Sequence, residues 1–242
     1  MEYASSSLKT SRCSTVIINL RTVSFRQAVP FILGIAVALP VFAQDGSAGR
    51  AQMTDVWIRV APGTDHPDIS SITAAGQAVM NAYDHAADGI LKCLIDWGRV
   101  NTVSGFPMEL IISENQVTIL YEYNHTVRRV FLDETDFSSA YPPSLVGYSI
   151  GHWEDDTLVV ETRNLLPGWL NMDGVAPYTG AAVTTERFTL DPERQRLTVA
   201  RELRDSPYYS APLTWITVYR PAEFPVYPYD CTVGSYGSGL EG

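Results

Sequence analysis

Four polar side chains stand out because strand alternation sets them among apolar ones. Successive side chains of an extended strand point to opposite faces, so residues two apart share a face. By that parity Glu186 sits with Phe188 and Leu190, and Arg201 sits with Leu197, Val199 and Leu203. Tyr148 and His152 flank Ile150 in the same way. If these faces point inward, a carboxylate, a guanidinium, a phenol and an imidazole line one interior. An unpaired buried charge is costly, so Glu186 is expected to pair with an arginine such as Arg128 or Arg201. Such a set suits acid/base chemistry. Glu186 or His152 would be general base or acid, Tyr148 an acid or oxyanion donor, and Arg128 the holder of an anionic or carbonyl group. Arg201 and the aromatic residues Tyr121, Tyr123, Trp169, Tyr178 and Trp215 would complete a surface for a flat apolar ligand or a sugar ring. The same residues also suit an internal network that fixes strand register, and strands are rich in aromatics for packing alone.

Other chemistries lack their residue patterns. The histidines at 66, 85, 125 and 152 form no H-x-H or H-E-x-x-H set, and none neighbours a cysteine, so no metal site is expected. Glu154, Asp155 and Asp156 lack calcium-loop spacing and read as a hairpin tip. No G-x-S-x-G, P-loop or dinucleotide glycine pattern occurs, which argues against serine hydrolases, NTPases and nicotinamide enzymes. No cofactor is expected.

The segment ahead of these strands carries Lys9, Arg12, Arg21 and Arg26 and then an apolar run from Ala28 to Leu39 that Pro30 interrupts. Val41-Phe42-Ala43 precedes the polar Gln44-Asp45-Gly46, which is the layout of an export signal over residues 1–43 cleaved after Ala43. A dozen apolar residues are too few to span a bilayer, so no anchor is expected after cleavage. Removing the signal takes four of the 17 basic and one of the 27 acidic residues, leaving 13 against 26 and a charge of −13. A surface that acidic repels a phosphate backbone, which argues against nucleic acid and anionic lipid as partners. Cys13 leaves with the signal, so Cys93 and Cys231 remain as an even pair, expected to form a disulfide in a bacterial periplasm or outside the cell. A metal pair or a reactive thiol is the competing reading.

The elements that must position the polar set read as strands. Residues 109–112, 117–123, 127–132, 148–153, 157–163, 183–190, 196–203 and 213–219 are rich in Val, Ile, Thr, Tyr and Phe, with turn residues between most of them. Eight strands joined without crossover helices favour a closed, antiparallel, lipocalin-like barrel, with a strongly curved open sheet as the alternative. Residues 44–69 read as an extended lead-in and 70–242 as one domain. The Ser/Thr signal and small apolar residues of 70–93 predict a short amphipathic helix on the outside. The long connections 133–147 and 164–182 are expected over a barrel mouth.

Residues 147–162, GYSIGHWEDDTLVVET, resemble the GHSIGRWEGDTLVVDT motif of a family of secreted bacterial hypothetical proteins. VRRVFLD at 127–133 is similar to that family's VRxIYxDG, TERF at 185–188 to xERF, YSAPLT at 209–214 to YTxPWT, and DCTVGSY at 230–236 to xCHEGNY. The resemblance implies export but no particular activity. This chain departs from the pattern at Tyr148, where the family has His, and at Asp155, where it has a turn Gly. Its Thr232 and Val233 replace the terminal His and Glu. Together the observations predict an exported barrel that binds a small apolar or aromatic molecule. It would act on that molecule as a cofactor-independent isomerase, hydratase, cyclase or lyase, or else be a non-catalytic carrier, an envelope interaction protein or a carbohydrate-active protein.

Overall fold

A computed structural model describes residues 50–60, 66–102, 105–193 and 195–231. The expected export signal and the similarity at 232–236 lie outside the described residues, as does the start of the lead-in. Alternation of buried and exposed positions runs through nearly every long strand, as in β10 (Arg196–Arg204) and β11 (Leu213–Pro221). The other long strands are β2 (Met108–Ile112), β3 (Gln116–Tyr121), β4 (Thr126–Phe131), β5 (Tyr148–Glu154), β6 (Thr157–Arg163) and β9 (Val183–Asp191). With β1 (Asp55–Arg59) they close a barrel in the order β1-β11-β10-β9-β6-β5-β4-β3-β2. Closure leaves no unpaired edge among these strands. No helix among the described residues is long and apolar enough to cross a membrane.

The closed barrel has nine strands rather than eight, and the ninth comes from the stretch read as a lead-in. β1 pairs with β11 through Trp57–Pro221 and with β2 through Trp57–Met108, so it seals the two ends of the meander. Its inward residues are one tryptophan and one arginine, Trp57 and Arg59, both almost wholly buried. That pair carries no apolar alternation for a sequence reading to detect. The barrel is also not wholly antiparallel, because β4 and β5 pair in parallel at Val130–Ser149 and Phe131–Ile150. A parallel neighbour requires the chain to return along the strand before entering it, which accounts for the long connection between β4 and β5.

The segment expected as one helix breaks into three pieces. α1 (Ala74–Asn81) is capped by Thr73, whose hydroxyl accepts from Gly76 N, and 3-10 turns follow at His85–Ala87 and Gly89–Lys92. The breaks follow from Asp84 and Asp88, whose carboxylates cap Ala86 N and Ile90 N and so restart the turn each time. α2 (Trp97–Thr102) has every residue buried and plugs one barrel end. Trp97, Trp215, Tyr178, Leu203 and Leu213 pack together in the apolar cluster there. The connection between β6 and β9 folds back as a small ribbon, β7 (Gly168–Trp169) with β8 (Pro177–Tyr178). Trp153 packs against the main core with the Arg50 guanidinium 4.9 Å from its ring. At the hairpin tip Asp155 takes φ 51°, the left-handed conformation for which the similar motif uses glycine.

Cys93 and Cys231 are bonded across 138 residues. The bridge clips the chain after β11 to the segment that precedes α2. On the way this strap donates Tyr227 N to Glu122 and Tyr229 N to the His125 ring. Tyr229 packs edge-on against Phe106 and Tyr123.

Candidate functional site

The barrel interior holds the first group of sequence-predicted residues. β6, β9, β10 and β11 place Val160, Glu186, Arg201 and Trp215 side by side in one cross-strand row. Glu186 meets both arginines. Its Oε1 accepts from Arg201 Nε at 3.0 Å, and its Oε2 pairs with Arg128 Nη1. The remaining donors are met by hydroxyls and amides. Arg128 donates to Ser149 (3.0 Å) and Thr162 (2.7 Å), and Arg201 donates to Thr217 (2.9 Å), Asn101 (3.3 Å) and Tyr219 (3.3 Å). Tyr121 joins by donating its hydroxyl to Asn101 Oδ1 at 3.1 Å.

Electrostatics lock this network. Burial alone would lower both arginines, but Glu186 and the neighbouring phenols outweigh it and hold Arg128 and Arg201 above the usual range. Burial pushes the Tyr121 phenol up to about 12. Burial would raise Tyr219 too, yet the Arg201 and Arg59 guanidiniums outweigh it and hold that phenol below its ordinary value. Four pockets stand out among the described residues, and neither Glu186 nor Arg128 lines any of them.

Tyr148 and His152 are not in this interior. Ser149 and Gly151 are the inward residues of β5, so Tyr148, Ile150 and His152 face outward. Tyr148 is buried beneath the β4–β5 connection, stacked on Tyr141 at 4.0 Å and donating to Glu134. The His152 side chain is 63 % exposed and pairs with Glu154 at 3.2 Å. It lines a groove of about 550 Å³ on the outer face of β5, β6 and β9. The four polar residues that parity grouped therefore split into an inner pair and an outer pair. Among the aromatics, Tyr123 stacks on Phe106, Tyr178 is buried, and Trp215 packs edge-on against Trp97 at 6.2 Å. Trp215 lines an outer pocket of about 510 Å³ that also takes in Arg201, and Trp169 lines one that holds the buried Asp88, Asp96 and Arg99.

That pocket, about 430 Å³, opens at the rim where α1, the 3-10 turns, α2 and β7 meet. Tyr83 and Trp169 form an aromatic wall, their rings edge-to-face at 4.8 Å. Leu94, Leu145 and Pro167 add apolar surface. The floor is Arg99, which donates Nη2 to Asp88 (2.5 Å), Nη1 to Asp96 (3.0 Å) and Nε to the Asn171 carbonyl (3.0 Å). Tyr83 donates its hydroxyl to the same Asp88 oxygen at 2.5 Å, with the His85 ring 3.3 Å away. Close approach holds the wall in place. A Cβ on Gly98 would lie 2.2 Å from the Trp169 carbonyl oxygen, and one on Gly174, at φ +69°, would lie 2.1 Å from the Tyr83 ring. Only glycine permits both contacts.

The two floor carboxyls are driven apart. Burial opposes ionisation of Asp88, but the Ile90 N–H, the Tyr83 hydroxyl and Arg99 prevail and hold it below the usual carboxylate range. For Asp96 burial prevails over Arg99, and its carboxyl is raised. Tyr83 itself is pushed up to about 12, by burial first and by Asp88 next, so it stays a hydrogen-bond donor. The sequence reading missed Tyr83, Asp88, Asp96 and Arg99. The available signal was Asp96-x-x-Arg99 at the start of a helix, an aspartate cap with its arginine one turn on, and it gives no hint that Asp88 and Tyr83 converge there.

No family model and no curated protein matches this chain.

Proposed function

We propose that this is an exported β-barrel protein that binds a small apolar or aromatic molecule in the rim pocket, and that it belongs to the secreted family its β5–β6 hairpin resembles. The observation that carries the reading is a pocket of small-molecule size whose aromatic wall stands over a floor of charges already hydrogen-bonded to one another. Pockets that take small ligands are mostly apolar with a few fixed polar groups, and a floor held by Arg99 needs no rearrangement when one binds. The disulfide between Cys93 and Cys231 is compatible with an oxidising compartment and supports export.

A second reading, acid/base turnover in the same pocket, is favoured by the opposite displacement of Asp88 and Asp96. Native mass spectrometry of the protein purified from its host tests both. Wild type is expected to carry a small molecule that Trp169→Ala loses. A molecule that accumulates unconverted in Asp96→Asn establishes turnover. Wild type that carries nothing and takes nothing from host extract overturns the binding reading.

A further inference from the structure

The rim pocket has a charge preference beyond its shape. Three carboxylates line it, Asp84, Asp88 and Asp96, against the single guanidinium of Arg99. The formal charge is therefore −2. Arg99 already donates from Nη1, Nη2 and Nε to Asp96, Asp88 and the Asn171 carbonyl, so its charge is matched by two carboxylates before any ligand arrives. Asp84 differs from the other two carboxylates. It is exposed, Oδ1 caps Ala86 N, and Oδ2 accepts no hydrogen bond among the described residues. Beside it are two half-buried aromatic rings, Tyr83 and Trp169, whose faces attract positive charge. An aromatic wall, an uncommitted carboxylate at the mouth and an arginine outnumbered by the carboxylates around it together disfavour an anion and favour a cation.

We propose that the rim pocket selects a small organic cation, an amine or quaternary ammonium carried on an apolar or aromatic body. This rests on the reading that the pocket binds a small molecule, and it adds the sign of that molecule's charge. The ring of the ligand lies against Trp169, and its ammonium sits between the aromatic faces and Asp84.

Titration calorimetry on the oxidised protein with three probes of one shape tests it: 2-phenylethylammonium, 2-phenylethanol and phenylacetate. The ammonium is expected to bind about tenfold tighter than the alcohol, with phenylacetate weakest. The preference shrinks as salt is raised, because the mouth is open to solvent. Asp84→Asn keeps an oxygen for the Ala86 N–H, so it removes the ammonium preference while the alcohol binds as before. Trp169→Ala weakens all three probes. Equal affinity for ammonium and alcohol overturns the charge proposal and leaves small-molecule binding standing. Failure of all three to bind, in a protein whose melting temperature is normal, overturns both.

Discussion

Glu186 holds Arg201 with one oxygen and Arg128 with the other, and those guanidiniums are in turn pinned by Ser149, Thr162 and Thr217. Removing the carboxylate leaves two buried cations without a counter-charge. Glu186→Gln is expected to destabilise the fold by about 3 to 5 kcal/mol in urea melts while ligand retention per folded molecule stays unchanged. A large loss of ligand without loss of stability would instead place Glu186 in the binding site. The phenols give a pH signature. A raised phenol such as Tyr121, at about 12, favours the protonated folded state, so its contribution is complete below pH 10 and is lost as pH rises to about 12. Two pH units correspond to about 3 kcal/mol. Tyr219 has the opposite sign: its lowered value contributes stability that is present above pH 10 and lost as pH falls through its folded value. Tyr83 and Tyr178 shift upward as Tyr121 does, so the sum is a loss of stability in alkali. Thermal melts with tyrosinate absorbance read it directly. In the rim floor, Asp88→Asn is expected to cost more at neutral pH than Asp96→Asn, since its surroundings on balance favour the charge on Asp88 while burial opposes it on Asp96.

Elements decide where these residues meet. α2 is only six residues long, yet it brings Asn101 to Arg201 and Tyr121 and carries Arg99 to the rim. Its approach to β7 depends on the missing side chain of Gly98. Gly98→Ala drives a methyl group into the Trp169 carbonyl, so it is expected to displace the aromatic wall and weaken ligand retention at least as much as it lowers the melting temperature. The 3-10 turns after α1 place Asp84 and Asp88 around the pocket, because each aspartate restarts the turn that follows it. The strap after β11 is tied to the same region through Cys93, which sits beside the pocket residue Leu94. Opening a loop of 138 residues costs about 5 kcal/mol in the chain-entropy model. The double substitution Cys93→Ala, Cys231→Ala is expected to lower stability on that scale and to speed amide exchange at Tyr227 and Tyr229, whose N–H groups bond Glu122 and His125.

For the whole molecule, closure is the governing feature. β1 supplies five residues and two seams, one to β11 and one to β2. Without it both seams would be exposed edges, which invite pairing with other chains. Trp57→Ala is expected to cost about 3 to 5 kcal/mol and to promote association. A protein that remains fully monomeric and stable after the change would show that β11 and β2 close on each other unaided.

The eight strands from 109 to 219 were legible because their apolar residues alternate with turn signals between them, and parity grouped Glu186 and Arg201 with the apolar neighbours whose faces the barrel turns inward. The Cys93–Cys231 pair followed from an even count. β1 was not legible, since a strand whose interior residues are a tryptophan and an arginine looks like any polar segment. Parity also could not say which face of β5 turns inward. Ile150 gave Tyr148 and His152 an apolar neighbour, but the covering connection between β4 and β5 supplies an outer apolar face of its own. Local sequence thus determined the strands and their alternation, which depend on neighbours one or two residues away. Tertiary structure alone decided the rim pocket, because Tyr83, Asp88, Arg99 and Trp169 come from four separate segments. Their meeting is fixed by barrel closure, by the α2 plug and by a glycine's close approach to another strand's backbone.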